Sequence, residues 1–89
     1  MKIGIISGGF DPIHSGHLSY INSAKTKCDF LCVGVNSDNW LIKKKGRPFM
    51  PFSERIKVIN ALKNVDLAID FNDDDGSASQ LIYKTFEMF

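Results

Sequence analysis

Short β-branched apolar runs alternate along the chain with stretches in which apolar residues recur every three or four positions. Residues 2–7 (Lys-Ile-Gly-Ile-Ile-Ser) predict a short buried strand that ends at Gly8-Gly9. Residues 15–27 carry Leu18, Ile21 and Ala24 at helical spacing, with Lys25, Lys27 and Cys28 near the end of the stripe. Residues 30–36 form a continuous apolar run, the pattern of a strand covered on both faces. Ser37 to Pro51 is a polar segment holding Trp40 and the basic run, and Trp40 to Pro51 reads as a flexible basic loop. Ser53 suits the N-cap of a further helix, with Glu54 in its first turn and a stripe of Ile56, Ile59 and either Leu62 or Lys63. Residues 65–71 predict a third strand, and Asn72–Gly76 a turn. Ser77 then opens a last helix, with Gln80 completing a capping box and Leu81, Ile82, Phe86 and Phe89 as its apolar side.

The resulting β-α-β-α-β-α order predicts an α/β, Rossmann-like parallel sheet with helices packed on it. Three such strands make half of a doubly wound fold, so the domain is expected to be incomplete. In that layout the first strand is central and pairs on both sides. An open edge there is a pairing liability, so a homo-oligomer, a second chain or a further C-terminal segment is expected to complete the sheet.

At 89 residues the chain has room for one modest core. Its 11 basic and 10 acidic residues balance to +1, which gives no field argument for nucleic acid or an anionic membrane as partner. No apolar stretch approaches the roughly 20 residues of a membrane span. Cys28 and Cys32 lack a histidine or further cysteine at metal spacing, and read as reduced core thiols of a cytoplasmic protein.

The chemistry concentrates in the first strand-to-helix turn, Gly8 to His17. Such turns lie at the C-terminal end of a parallel sheet, where these folds bind ligands. Gly8 and Gly9 would let a phosphate approach the backbone, and free N–H groups at the helix start favour an anion. His14 and His17, three apart in a first helical turn, share a face that Gly16 leaves open. Two imidazoles donating to a phosphate can stabilise the charge that builds when an oxygen nucleophile attacks it.

The stretch Gly8–His17 resembles the G-x-F-D-x-x-H-x-G-H signature of the cytidylyltransferase-like nucleotidyltransferases. The resemblance continues through Val35–Leu41, Lys43-Lys44-Lys45-Gly46-Arg47-Pro48 and Pro51–Arg55, where it is most like the heptose-phosphate adenylyltransferase branch. It implies that residues 1–89 are the N-terminal part of one nucleotidyltransferase domain. It also implies transfer of a nucleoside monophosphate from CTP or ATP to a small phosphorylated alcohol or sugar, with pyrophosphate released. His14, His17 and Lys44 would be catalytic. Gly8, Gly9, Phe10, Asp11, Lys43, Lys45 and Arg55 would join the histidines in binding nucleotide. Mg²⁺ is expected, held mostly by phosphates and water.

The lysine segment, on the same sheet end as His14, could close over a ligand. Arg55 follows close on the expected N-cap, unfavourably for the helix dipole, so a bound anion is expected beside it. Asp11 is open between an Asx-type acceptor and a metal-placing group. Asp38 is open between substrate contact and a cap, and Asp66 is similarly open. The family's later segments, which read the base, have no counterpart in the sequence. A nucleotide-binding half-domain, inactive alone, is therefore the alternative to an enzyme. Carboxylate adenylation is a third reading, which the small size and the K-K-G-R-P resemblance oppose.

Overall fold

A computed structural model describes residues 1–89. Its elements in order are β1 (Ile3–Gly8), α1 (Ser15–Lys25), β2 (Phe30–Val35), α2 (Asp38–Lys45), α3 (Phe52–Asn60), β3 (Leu67–Ile69) and α4 (Ser79–Met88). The strands form one parallel sheet in the order β1-β2-β3, with Ile5 opposite Cys32 and Val33 opposite Ala68. The α/β, Rossmann-like architecture expected from the alternation is present.

β2 is the central strand, and its side chains divide the core. Leu31, Val33 and Val35 pack with Ile21 of α1 and Ile59 of α3. Cys32 packs on the other face with Ile69, Phe71 and Leu81 of α4. Gly34 allows this second layer to close: a Cβ there would run into the Leu81 side chain and come 2.9 Å from the Phe71 ring. Asp66 ties three elements together, accepting from the Leu31 N–H at 2.7 Å and from Lys25 Nζ at 2.6 Å. The Lys25 hydrogen bond is the main reason its carboxyl lies below the usual carboxylate range.

Four boundaries differ from the sequence expectation. The polar segment from Ser37 to Pro51, read as a flexible loop from Trp40 onward, contains α2. Ser37 caps it by accepting the Trp40 N–H at 3.1 Å, Asp38 sits in the first turn and Lys43–Lys45 in the last, matching the helix dipole. Gly46, at φ 96°, ends it in a conformation that glycine adopts without strain. α3 starts at Phe52 with Pro51 as N-cap, so Ser53 lies inside the first turn. β3 is confined to Leu67–Ile69. The Ser77–Gln80 capping box does not form, because Asp75 takes the Ser77 N–H and hydroxyl at 2.9 Å each and α4 begins after Ala78.

Candidate functional site

The turn between β1 and α1 sits at the carboxyl end of the sheet and is built by its own side chains. His14 is the N-cap of α1: its Nδ1 accepts the Gly16 N–H at 3.0 Å. The His14 N–H in turn donates to His17 Nδ1 at 3.1 Å. The two imidazoles thus form a reciprocal capping box, stacked with ring centroids 3.9 Å apart. A neutral imidazole that accepts at Nδ1 carries its proton on Nε2. Both rings are therefore fixed in the tautomer that leaves Nε2–H as a donor. Burial, and then the neighbouring His14, pull the His17 pKa below its ordinary value, which favours the neutral ring.

Phe10 supports the pair from beneath. It is 3% exposed, its backbone has φ 52°, and its ring meets the His17 ring edge-on at 5.2 Å. A non-glycine residue in this region is strained and persists where its surroundings over-determine it. Here the small neighbours contribute: a Cβ on Gly8 would lie 2.8 Å from the Phe10 ring, and one on Gly9 would lie 2.9 Å from Leu41. Gly8 therefore admits an aromatic ring, and Gly9 admits α2.

The turn and α2 enclose a cleft of ≈ 250 Å³ whose lining includes Gly9, Phe10, Asp11, His14, His17, Lys44 and Lys45. Seven of the residues singled out in the sequence are thus brought together. Trp40 also lines the cleft, and Lys44 Nζ rests 4.7 Å from the centre of its ring. That pairing follows from the i, i+4 spacing of the two residues on α2. Lys43 lies outside this cleft, beside the Asp73–Gly76 loop.

Lys45 and Asp11 are occupied with each other. Lys45 Nζ lies 2.6 Å from Asp11 Oδ2 and 2.7 Å from the Asp11 carbonyl oxygen. The Asp11 carboxylate also accepts the Phe49 and Met50 N–H groups, both at 2.6 Å. Burial raises the Asp11 pKa, but Lys45 and the two backbone donors outweigh it and hold the carboxyl below the usual range. Asp11 acts here as the acceptor that pins the 46–51 segment to the turn between β1 and α1.

Arg55 is placed differently from the expected ligand contact. Its side chain is 0% exposed, and the anion beside it is Asp38, whose Oδ1 lies 2.7 Å from NH2. Nε donates to the Met50 carbonyl at 3.0 Å, and NH1 donates to the carbonyls of Gly9 at 2.9 Å and Asn36 at 2.7 Å. One guanidinium thereby holds the first turn, the end of β2, the start of α2 and the 46–51 segment together. This also places Asp38, as the partner of Arg55 in the first turn of α2.

Asp73 was not singled out from the sequence, and it completes the frame. It is buried and accepts from Asn36 Nδ2 at 3.0 Å, the Ser37 N–H at 2.8 Å and the Ser37 hydroxyl at 2.7 Å. Burial pushes its pKa up, and these donors more than reverse the shift. Its only sequence signal is membership of the turn Asn72–Gly76, where an acidic residue is commonplace. No buried side-chain nitrogen or oxygen in the structure lacks a partner.

The parallel sheet and this histidine-capped turn define a nucleotidyltransferase-like α/β domain. The cytidylyltransferase-like family matches residues 5–85, and the chain belongs to that family. It is 40% identical to the bifunctional protein HldE of Granulibacter bethesdensis and 41% identical to that of Caulobacter vibrioides, over 83% of its length in each case. It spans 16% of the length of either relative. A lipopolysaccharide core biosynthesis protein from Thermoplasma volcanium superposes with a TM-score of 0.80 at 29% identity, covering 98% of this chain and 67% of the other. No helix is long and apolar enough to cross a membrane.

Proposed function

We propose that this domain binds a nucleoside triphosphate at the His14–His17 turn and serves nucleotidyl transfer to a small phosphorylated alcohol or sugar. The observation that carries this reading is the reciprocal cap, which fixes two neutral imidazoles with Nε2–H donors at a cleft beside a helix N-terminus. An acceptor phosphate oxygen attacks the α-phosphorus. The bond from the α-phosphorus to the α–β bridging oxygen breaks, and pyrophosphate leaves with that electron pair. An ionised phosphate needs no general base, so the histidines serve as donors to the α-phosphate as its charge rises. Lys44, on the cleft side of α2, is placed to move from the Trp40 face to the phosphates.

The donor set suits a metal that arrives with its ligand rather than a resident one. Asp11 is the carboxylate on the cleft wall, and its oxygens are taken by Lys45 and two backbone N–H groups. No group of three or more His, Cys, Asp or Glu side chains is positioned to hold an ion. Mg²⁺ would enter held by the triphosphate and water, and no step above passes through it.

The K-K-G-R-P resemblance and the lipopolysaccharide role in the Thermoplasma protein's name favour a sugar phosphate as acceptor, with ATP or CTP as donor. Because the 89 residues span 16% of the length of the HldE relatives, the second reading is a nucleotide-binding unit without turnover of its own. A thermal-shift screen of ATP and CTP with Mg²⁺ tests binding, since a ligand that binds only the folded state raises Tm. Pyrophosphate release in the presence of sugar phosphates separates the two readings. No shift with any nucleotide would refute both.

A further inference from the structure

The turn between β1 and α1 has its carbonyls tied to the protein and its amides free. The Gly8 carbonyl accepts the Asn36 N–H and the Gly9 carbonyl accepts Arg55 NH1, both at 2.9 Å. The N–H groups of Gly9, Phe10 and Asp11 donate to no protein acceptor. The Gly9–Phe10 peptide is trans, so its C=O and N–H point in opposite directions. With the carbonyl drawn onto the buried guanidinium, the Phe10 N–H is turned away from it. Phe10 lines the cleft although it is only 3% exposed, and its ring lies against His17. What Phe10 can offer a ligand is therefore its backbone N–H. Its φ of 52° is left-handed, and a left-handed residue within a turn lets successive N–H groups converge on an anion.

We propose that Arg55 is a positioning residue for phosphate binding. It holds the Gly9 carbonyl so that the Phe10 N–H is presented to the cleft as a donor to a phosphate oxygen, and it does not touch the ligand. This role rests on the nucleoside triphosphate reading of the cleft and adds to it the group that sets one of its donors. The guanidinium is kept from swinging away, because Nε is held on the Met50 carbonyl, NH1 also on the Asn36 carbonyl and NH2 on Asp38. Its side chain is 0% exposed, so a phosphate meets the peptide and not the guanidinium. The charge of Arg55 polarises the Gly9–Phe10 peptide, since hydrogen bonds in series strengthen one another, and the Phe10 N–H becomes a stronger donor. A donor oriented before the anion arrives costs no reorganisation on binding. Lysine would keep a cation beside Asp38, but it lacks the planar fork that reaches three carbonyls at once.

NMR of the 89-residue chain titrated with ATP or CTP and Mg²⁺ tests this role. In the parent, the Phe10 amide and Arg55 Nε–H signals should move with one dissociation constant, because the Gly9–Phe10 peptide joins them. In Arg55→Lys the dissociation constant should rise about 10- to 100-fold, the worth of a hydrogen bond to a charged group. At saturation the Phe10 amide should no longer respond, while the His17 imidazole still does. That split sets positioning apart from a general loss of folded protein, which would weaken both responses together and overturn the proposal. Arg55→Lys binding with parental affinity overturns it too. So does a parent in which His17 responds while Phe10 and Arg55 stay still, a result that leaves nucleotide binding intact. A parent silent at His17 as well removes the nucleotide reading and this role with it. Should Arg55→Lys fail to fold, the paired Phe10 and Arg55 signals of the parent decide.

Discussion

His14 and His17 each spend Nδ1 on a backbone N–H, so the pair that faces the cleft is also the cap that starts α1. Structure and chemistry can be separated by substitution. Asparagine is a good N-cap, and glutamine at the third helical position preserves a capping box. His14→Asn and His17→Gln should therefore each fold with a Tm within a few degrees of the parent while losing the imidazole Nε2–H. The nucleotide-dependent Tm shift should shrink or vanish in both. If either variant unfolds, the cap depends on the rings themselves. If both keep the full shift, the nucleotide sits elsewhere.

The lowered His17 pKa gives stability a defined pH dependence. In the unfolded chain the ring titrates near 6.5, and in the folded protein it takes up its proton at lower pH. Between those values the unfolded state binds more protons, so stability falls as pH drops below about 6.5. Protonation at Nδ1 would also abolish the acceptor for the His14 N–H. Urea unfolding from pH 7.5 down to 5.5 should show a declining midpoint, and His17→Gln should flatten that slope. The carboxylates held low, Asp11, Asp66 and Asp73, act in a separate window. Their contribution is complete above the ordinary carboxylate range near 3.8 and is lost as pH falls through their lower folded values.

Arg55 is expected to matter first for folding. Replacing it with methionine keeps the aliphatic volume but leaves the Gly9, Asn36 and Met50 carbonyls without their donor. Loss of one member of a buried charge network costs about 3–5 kcal/mol. Asp38→Asn should cost less, about 1–3 kcal/mol, because it leaves the buried guanidinium without its counter-ion while an amide oxygen can still accept from it. Chemical denaturation of the two variants measures the difference. Equal, small losses would mean that Arg55 is not the keystone of the turn.

The strands, the parallel order and the histidine turn were legible because each depends on local pattern: β-branched runs, helical spacing, and glycines beside a fixed motif. α2 escaped because its apolar residues are few, and it is held by end effects instead. The signals were present in Ser37 as a cap, Asp38 in the first turn, three lysines in the last and Gly46 after them. Ser53 and Ser77 look like caps in isolation, but α3 takes Pro51 as its N-cap, and α4 takes Ala78 because the nearby Asp75 holds Ser77. The partners of Arg55 and Asp73 were hidden for another reason. Asp38 precedes Arg55 by 17 residues and Asn36 precedes Asp73 by 37, and only the parallel topology brings them together.

The adjacent lysines at the end of α2 should separate cleanly. Lys45 Nζ lies on the Asp11 carboxylate, whose side chain is 1% exposed, so Lys45→Ala removes the counter-ion of a buried charge. The two backbone donors to Asp11 remain, so a loss of about 1–3 kcal/mol in stability is expected. Lys44 is exposed and rests on the Trp40 ring, a contact worth about 0.5–1 kcal/mol. Lys44→Ala should leave folding almost unchanged and instead weaken nucleotide binding. Its effect should also fade as salt is raised, because an exposed lysine–phosphate contact is screened. Denaturation and nucleotide titration of the two variants at low and high salt decide the matter. Should Lys45→Ala prove the variant with normal stability and weakened binding, Lys45 leaves Asp11 when the ligand arrives, and the phosphate contact belongs to it.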